Sequence, residues 1–101
     1  LPRLSDAAEL VLYRVAQESL TNVARHAHAT RAAVSLTASA DAVTLRVTDD
    51  GPAGSFHFQE GAGIRGMRER ALLVRARLDI GAAPEGGTEV LLRVPTATRG
   101  S

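Results

Sequence analysis

Apolar and polar residues alternate through Val43, Leu45 and Val47, and this period of two defines a strand in the middle of the chain. The preceding run, residues 31–38, carries the same alternation, and a turn at 39–42 separates the two runs. Turns of this length join neighbouring antiparallel strands. We therefore predict a hairpin in which each strand has one apolar face.

Residues with helical spacing precede this hairpin. Ser5 or Asp6 is the expected N-cap, with Glu9 three residues after Asp6 as in a capping box, and the helix is predicted to end near His26. Seven apolar residues fall on one side, which is expected to pack on a sheet: Leu12, Tyr13, Ala16, Leu20, Val23, Ala24 and Ala27. Five polar residues fall on the opposite side, which is expected to face solvent or a ligand: Arg14, Glu18, Asn22, Arg25 and His26.

The rest of the chain repeats this order of elements. A loop over 50–61 leads to a second helix from near Gly63 to about Val74, and a second hairpin follows, with a turn at 84–87 and a last strand at 88–94. Tight hairpins that follow helices predict an α+β two-layer sandwich. We expect a mostly antiparallel mixed sheet with the helices on one face.

Composition narrows the class of protein. The chain has 101 residues, enough for one domain with a modest core, which we expect to span 1–95 before a flexible tail at 96–101. The sequence contains no cysteine, which excludes disulfide bonds and thiolate metal sites. A net charge of +1 gives no reason to expect nucleic-acid binding, and the sequence has no apolar run long enough to span a membrane.

The first polar cluster lies on the first helix. Glu18, Asn22 and His26 are spaced four residues apart and form one ridge. An amide oxygen from Asn22 suits Mg²⁺, which prefers oxygen ligands, and Arg25 and His26 are able to meet phosphate oxygens. The alternative is an ordinary solvated helix face.

The second cluster is Asp49-Asp50-Gly51, at the end of the predicted second strand. A carboxylate there can accept a hydrogen bond from an exocyclic amine, which adenine offers and the guanine O6 does not. Gly51 lets a flat ring approach the backbone. The alternative is a simple Asp-Gly turn.

The third cluster, Gly61-x-Gly63-x-x-Gly66, precedes the second helix. Its spacing occurs in dinucleotide-binding folds, but those need a strand directly before it and a parallel crossover after it, and neither is predicted here. Glycines at a helix start still expose N–H groups to a polyphosphate; the alternative is a flexible loop. Gly86-Gly87-Thr88 opens the last strand, where Thr88 is able to offer a hydroxyl to a ligand, although a plain hairpin turn also explains it.

Taken together, these clusters resemble the ATP-binding domain of bacterial sensor histidine kinases, in the nitrate-sensor-like subfamily. The resemblance spans about residues 10–95. The run that resembles the asparagine box is Tyr13-Arg14-Val15-Ala16-Gln17-Glu18-Ser19-Leu20-Thr21-Asn22-Val23-Ala24-Arg25-His26-Ala27. Asp49-Asp50-Gly51 resembles the first glycine box, Gly61-Ala62-Gly63-Ile64-Arg65-Gly66-Met67-Arg68-Glu69-Arg70 the second, and Gly86-Gly87-Thr88 the last.

The resemblance implies a Bergerat-type ATP-binding fold, shared with gyrase and Hsp90, and a set of residue roles. Asn22 is expected to coordinate Mg²⁺, Glu18 to lie near the metal and the γ-phosphate, and Asp49 to bind the adenine amine. The remaining residues are expected to contact phosphates or to shape the pocket and its lid: Arg25, His26, Gly51, Gly61, Gly63, Ile64, Gly66, Met67 and Thr88.

The implied function is phosphoryl transfer in two-component signalling. The parent protein is expected to be a cytoplasmic or membrane-anchored homodimer that moves the γ-phosphoryl of Mg-ATP to a histidine on its own dimerisation domain, and then to a response regulator. This domain alone is expected to bind nucleotide with little or no kinase activity, and to contact neither nucleic acid nor membrane. Three alternatives stay open: a serine kinase of the anti-sigma-factor type, an ATPase with Glu18 as general base, and a degenerate interaction module.

The sequence departs from the family pattern at three places. Ala53 stands where a second glycine is expected after Gly51, and Arg75-Ala76 stands where a glycine pair often follows the second helix. A strand expected before Leu1 is missing, so we interpret the chain as a domain excised from a longer parent, with one sheet edge incomplete.

Overall fold

A computed structural model describes residues 4–26, 30–51, 62–84 and 86–96 of the chain. Two helices and four strands follow one another in the predicted order. Their bounds are α1 (Asp6–His26), β1 (Ala32–Ala38), β2 (Ala42–Asp49), α2 (Ala62–Leu73), β3 (Arg77–Ala82) and β4 (Thr88–Pro95). In the part of the chain that is described, neither helix is long and apolar enough to cross a membrane.

The four strands form one open sheet in the order β1-β2-β4-β3, and every pairing among them is antiparallel. Leu45 lies opposite Leu36 of β1 and Leu92 of β4, which fixes the register at the centre of the sheet. Helix α1 packs on β2 and β4, and α2 packs on β3 and α1. The predicted two-layer α+β sandwich is therefore confirmed.

The core lies between the sheet and the two helices. Alternate residues of β2 and β4 point into it, because a period of two places them on one face. The buried cluster consists of Ala8, Val11, Val15, Leu45, Val47, Met67, Ala71, Ala76, Val90, Leu92 and Val94. On the opposite face of the sheet, Arg46 of β2 pairs with Glu89 of β4, and such exposed pairs contribute about 0–1 kcal/mol.

Helix α1 begins with a simple N-cap. The Ser5 hydroxyl accepts a hydrogen bond from the Ala8 N–H at 3.1 Å, so Ser5 is the cap and Asp6 is already helical. The capping box predicted from Asp6 and Glu9 is therefore wrong, because the residue three positions after Ser5 is Ala8.

The buried face of α1 differs from the prediction. Its inward stripe is Ala8, Val11, Val15 and Ser19, all less than 9% exposed. Of the predicted apolar side, Leu12 and Ala16 are half-buried against the core, whereas Tyr13, Leu20 and Ala24 are exposed. Val23 of the predicted side is also half-buried, and Ala27 lies outside the described residues. The predicted side is rotated by about 100°, or one residue, from the stripe that is buried. Small and β-branched residues line the buried stripe, where two layers must pack closely.

Helix α2 ends in a Schellman motif. The Ala76 N–H donates to the Ala71 carbonyl at 2.8 Å, and the Arg75 N–H donates to the Leu72 carbonyl at 3.2 Å. Arg75 adopts a left-handed conformation with φ 59°. An arginine thus holds the position at which glycine is usual, and Ala76 is buried against the end of the helix.

At the turn between β3 and β4, the backbone of Gly87 lies unusually close to the end of β2. Gly87 has φ +84°, and a Cβ atom placed on it would lie 2.0 Å from the carbonyl oxygen of Asp49 on β2. Gly86 also has a positive φ, +99°, but a Cβ there would meet nothing within 4 Å. Only Gly87 of this pair is therefore required for space as well as for conformation.

The packed structure continues one residue past β4 and past the predicted domain boundary at residue 95. Thr96 is 8% exposed, its N–H donates to the Asp41 carbonyl at 2.9 Å, and its hydroxyl donates to the Ala40 carbonyl at 3.2 Å. Thr96 is thus part of the fold and not of a tail, which corrects the prediction at that residue. The rest of the predicted tail, 97–101, lies outside the described residues.

We expect Arg75→Gly to stabilise the fold by about 1 kcal/mol, because glycine adopts the left-handed conformation without a Cβ clash. Arg75→Ala is the matched control, since it removes the same charge and keeps the Cβ. Urea unfolding followed by circular dichroism measures both free energies. Equal stability of the two variants would contradict the assignment of strain to this position.

We expect Gly87→Ala to destabilise the fold by about 3 kcal/mol, through backbone strain and the clash with Asp49. Gly86→Ala introduces a similar strain without the clash and should lose about 1 kcal/mol. Gly81→Ala, in open space on β3, should change little. The same unfolding assay ranks the three, and a Gly87→Ala variant no worse than Gly86→Ala would show that the close contact is not required.

Candidate functional site

The candidate site lies at one end of the sheet, where β2 ends and β4 begins. The last registered pair of these strands is Thr48 with Glu89, and Asp49 and Thr88 are the next residues at that end. Both are buried, at 7% and 4% exposed, on the face of the sheet that carries the core. At this end of the sheet, the apolar core therefore ends in a buried carboxylate and a buried hydroxyl.

Asp49 is held with one carboxylate oxygen engaged and the other available. Its Oδ1 accepts a hydrogen bond from the Gly51 N–H at 2.8 Å, whereas its Oδ2 accepts none within the described residues. No side-chain oxygen in those residues is both fully buried and without a partner, so Oδ2 keeps some contact with the surface. A ligand that covers this edge must then supply a donor, because a buried acceptor without a partner is costly.

Two glycines lie close to Asp49. Gly51 is buried, and Gly87 presents no side chain against the Asp49 carbonyl. Glycines at such positions allow close approach of backbone to backbone or of a ligand to backbone. Gly51 of the first glycine box and Gly87 of the last thus both lie next to the Asp49 carboxylate.

Helix α1 brings Glu18 and Asn22 of the first predicted cluster to the border of the core. Asn22 follows Ser19 by three residues on the same side of the helix, and both Asn22 and Glu18 are half-buried. This corrects the prediction that Glu18 and Asn22 lie on a face opposite the packed one. The side chains of Arg25 and His26 lie outside what the structure describes.

A buried contact joins α1 to α2. The Ser19 hydroxyl donates to the Met67 sulfur at 3.9 Å, and both residues are 1% exposed. Met67, predicted to contact nucleotide, packs here between the helices; its contact with a ligand stays a prediction. The contact between Ser19 and Met67 packs α2, which carries the second glycine box, against α1, which carries Asn22.

The glycines of the third cluster lie partly inside α2 and not only before it. The helix begins at Ala62, so Gly63 is in its first turn and Gly66 is inside it. A Cβ on Gly66 would lie 3.0 Å from a guanidinium nitrogen of Arg70, which therefore folds back over this glycine. Gly61 lies outside the described residues, as do the side chain of Ile64 and the predicted lid at 52–60.

Asp50 has a separate set of partners from Asp49. Its carboxylate accepts hydrogen bonds from the Thr30 hydroxyl at 2.7 Å and from the N–H groups of Thr30 and Arg31, both at 2.8 Å. The Thr30 hydroxyl, followed by the Arg31 N–H, holds the pKa of this carboxyl below its ordinary value of 3.8. Asp50 is therefore ionised at neutral pH, and it ties the start of β1 to the end of β2.

Sequence analysis missed the roles of three residues at this site. Ser19 and Asp50 stand within the motifs, and nothing in their spacing indicated the partners Met67 and Thr30. The contact of Gly87 with Asp49 was predicted only as a general approach of backbone to the site. In each case the partner is more than fifteen residues away in sequence, beyond the reach of local patterns.

Comparison with known proteins places the chain in a family. Residues 7–98 match the family model described as histidine kinase-, DNA gyrase B- and HSP90-like ATPase. The sensor histidine kinase YhcY of Bacillus subtilis is 39% identical over 97% of this chain, and the sensor protein VraS of Staphylococcus epidermidis is 34% identical over 83%. The chain covers 27% and 25% of these two relatives, about a quarter of their length.

A solved structure supports the fold independently. The histidine kinase domain of the blue-light activated histidine kinase EL346 from Erythrobacter litoralis superposes with a TM-score of 0.69 over 89% of this chain and 45% of that chain. Its sequence identity is 23%, so this likeness is evidence for the fold alone. The resemblance recognised in the sequence motifs is confirmed: the chain belongs to the family of histidine kinase-, DNA gyrase B- and HSP90-like ATPases.

Proposed function

We propose that this chain binds Mg-ATP and presents the γ-phosphate to a histidine on a separate phosphoacceptor domain, as the catalytic domain of a sensor kinase. The observation that carries the proposal is the buried Asp49 carboxylate, with Oδ1 bonded to Gly51 and Oδ2 without a partner among the described residues. An adenine amine supplies the donor that this oxygen needs, and guanine carries an acceptor at the corresponding position.

The residues of α1 supply the opposite end of the proposed nucleotide site. Asn22 offers an amide oxygen, which fits the oxygen ligands that Mg²⁺ prefers, and the half-buried Glu18 lies one turn before it. When bound, Mg²⁺ neutralises charge on the β- and γ-phosphates. We assign Arg25, His26 and the N-terminal end of α2, with Gly61, Gly63 and Ile64, to the phosphates, and Gly66, Met67 and Thr88 to the walls of the pocket.

The chain's own part in the reaction is binding and orientation. Asp49 fixes the base, Asn22 and Glu18 fix the metal-bound phosphates, and the γ-phosphoryl group is thereby aimed at the acceptor. Positioning and charge neutralisation are the main contributions of proteins to phosphoryl transfer. We assign an acceptor histidine, a partner response regulator, homodimerisation and a cytoplasmic location to the proposed parent protein. Two relatives of the chain are named as a sensor protein and a sensor histidine kinase, which supports the kinase part of this assignment.

Calorimetry with a non-hydrolysable ATP analogue and Mg²⁺ tests the proposal. We expect a Kd on the order of 10–100 μM, with weaker binding of the matching GTP analogue. Asp49→Asn should abolish the preference for adenine, because its amide nitrogen would face the amine with a second donor. Asn22→Ala should reduce the gain in affinity that Mg²⁺ gives.

Asp41→Asn is the matched control for charge, since Asp41 is exposed in the turn at the opposite end of β2. It should bind both nucleotides as the wild type does. Unchanged nucleotide preference in Asp49→Asn, or unchanged Mg²⁺ dependence in Asn22→Ala, would refute the residue assignments. A wild-type chain that binds no nucleotide would favour the degenerate interaction module.

A further inference from the structure

Asp50 sits beside the proposed adenine-binding residue, yet its carboxylate points to another part of the chain. Three donors reach it: the N–H of Thr30, the hydroxyl of Thr30 and the N–H of Arg31, at 2.7–2.8 Å. In return, the Asp50 N–H donates to the Arg31 carbonyl at 3.2 Å. Two successive residues after α1 are thus fastened to the residue that follows β2.

These hydrogen bonds tie the chain segment that follows α1 in sequence to the end of β2. Helix α1 ends at His26, and Thr30 lies four residues later. Four extended residues span at most about 14 Å, which is the largest possible distance between His26 and Thr30. Asn22 is on the last turns of that helix. On the other side of the hydrogen bonds, Asp50 is bonded covalently to Asp49.

We infer that Asp50 is a positioning residue, which limits how far the Asn22-bearing end of α1 can lie from Asp49. The inference rests on the proposed nucleotide function, because it concerns how one ligand spans both groups. A base held by Asp49 and a metal–phosphate group held by Asn22 belong to the same molecule. Binding both at once is strong only when the two protein groups are already at the required separation.

The chemistry of the contact suits this role. Hydrogen bonds to an ionised carboxylate are stronger and shorter than those between neutral groups. Asp50 is ionised throughout the neutral range, and its lowered pKa extends the charged form to more acidic pH. Because Asp50 is exposed, its hydrogen bonds are expected to matter more for geometry than for global stability.

Binding of two ligands of different length separates positioning from simple stability. Adenosine needs only the base-binding end, whereas the Mg²⁺ complex of a non-hydrolysable ATP analogue needs both ends. Their affinities are measured by two-dimensional NMR titration of the full 101-residue chain, whose spectrum also reports whether each variant is folded. The quantity compared between variants is the Mg-nucleotide advantage, defined as the Kd for adenosine divided by the Kd for the Mg-nucleotide.

Asp50→Ala should reduce the affinity for the Mg-nucleotide about tenfold and that for adenosine less than about twofold, because it uncouples the two ends of the site. Asp50→Asn should restore most of the loss, since its amide oxygen accepts the N–H bonds and its amide nitrogen donates to the Thr30 hydroxyl. Thr30→Val removes one of the three bonds and should give an intermediate loss. Asp41→Ala should leave both affinities unchanged.

Two results would overturn the inference while leaving the proposed function intact. The first is wild-type binding with an unchanged Mg-nucleotide advantage in folded Asp50→Ala and Thr30→Val variants. The second is an equal loss of both affinities, which is the result expected of a role in stability alone. A wild-type chain that binds neither ligand refutes the proposed function itself, and the inference with it.

Discussion

The contact between Gly87 and the main chain of Asp49 is the constraint on which the site depends. A Cβ on Gly87 would lie 2.0 Å from the Asp49 carbonyl oxygen. The end of β2 can therefore approach the start of β4 this closely only because Gly87 has no side chain. The approach leaves Asp49 inside the protein and yet at the end of its strand. Gly51 then holds one carboxylate oxygen and leaves the other for a donor from outside.

The core and the site form one continuous layer. The inward stripe of α1 begins with Ala8, Val11 and Val15, passes through the buried Ser19, and continues to the half-buried Asn22. The same residues that anchor the helix on the sheet therefore set the depth at which its polar end lies. A change in packing along this stripe would move Asn22 relative to Asp49, so stability and ligand geometry are linked in this small domain.

Local patterns in the sequence were sufficient for the elements and the fold class. Alternation through Val43, Leu45 and Val47 identified the central strand, and short turns identified both hairpins. The family's motifs identified Asp49 and Asn22 as candidate residues from sequence alone, and the fold leaves Asp49 buried and Asn22 half-buried. Periodicity alone did not determine which side of α1 is buried, because exposed Tyr13 and Leu20 are as apolar as the residues that face the sheet.

Features that depend on distant partners were out of reach of the sequence. Three such features depend on residues of separate elements. They are the contact of Ser19 with Met67, the hydrogen bonds from Thr30 to Asp50, and the close approach of Gly87 to Asp49. The left-handed conformation of Arg75 was not predicted, because arginine itself gives no signal for it. The glycine pair that the family often has at this place was the one indication, and the hydrogen bonds of the helix end enforce the conformation.

In the proposed function, the open oxygen of Asp49 receives the adenine amine. A crystal structure of the chain with Mg²⁺ and a non-hydrolysable ATP analogue tests this contact. We expect the exocyclic nitrogen of adenine about 3 Å from Asp49 Oδ2, with Gly51 still bonded to Oδ1 and the phosphates toward Asn22. A base bound elsewhere, or one whose amine has no contact with Asp49, would contradict it.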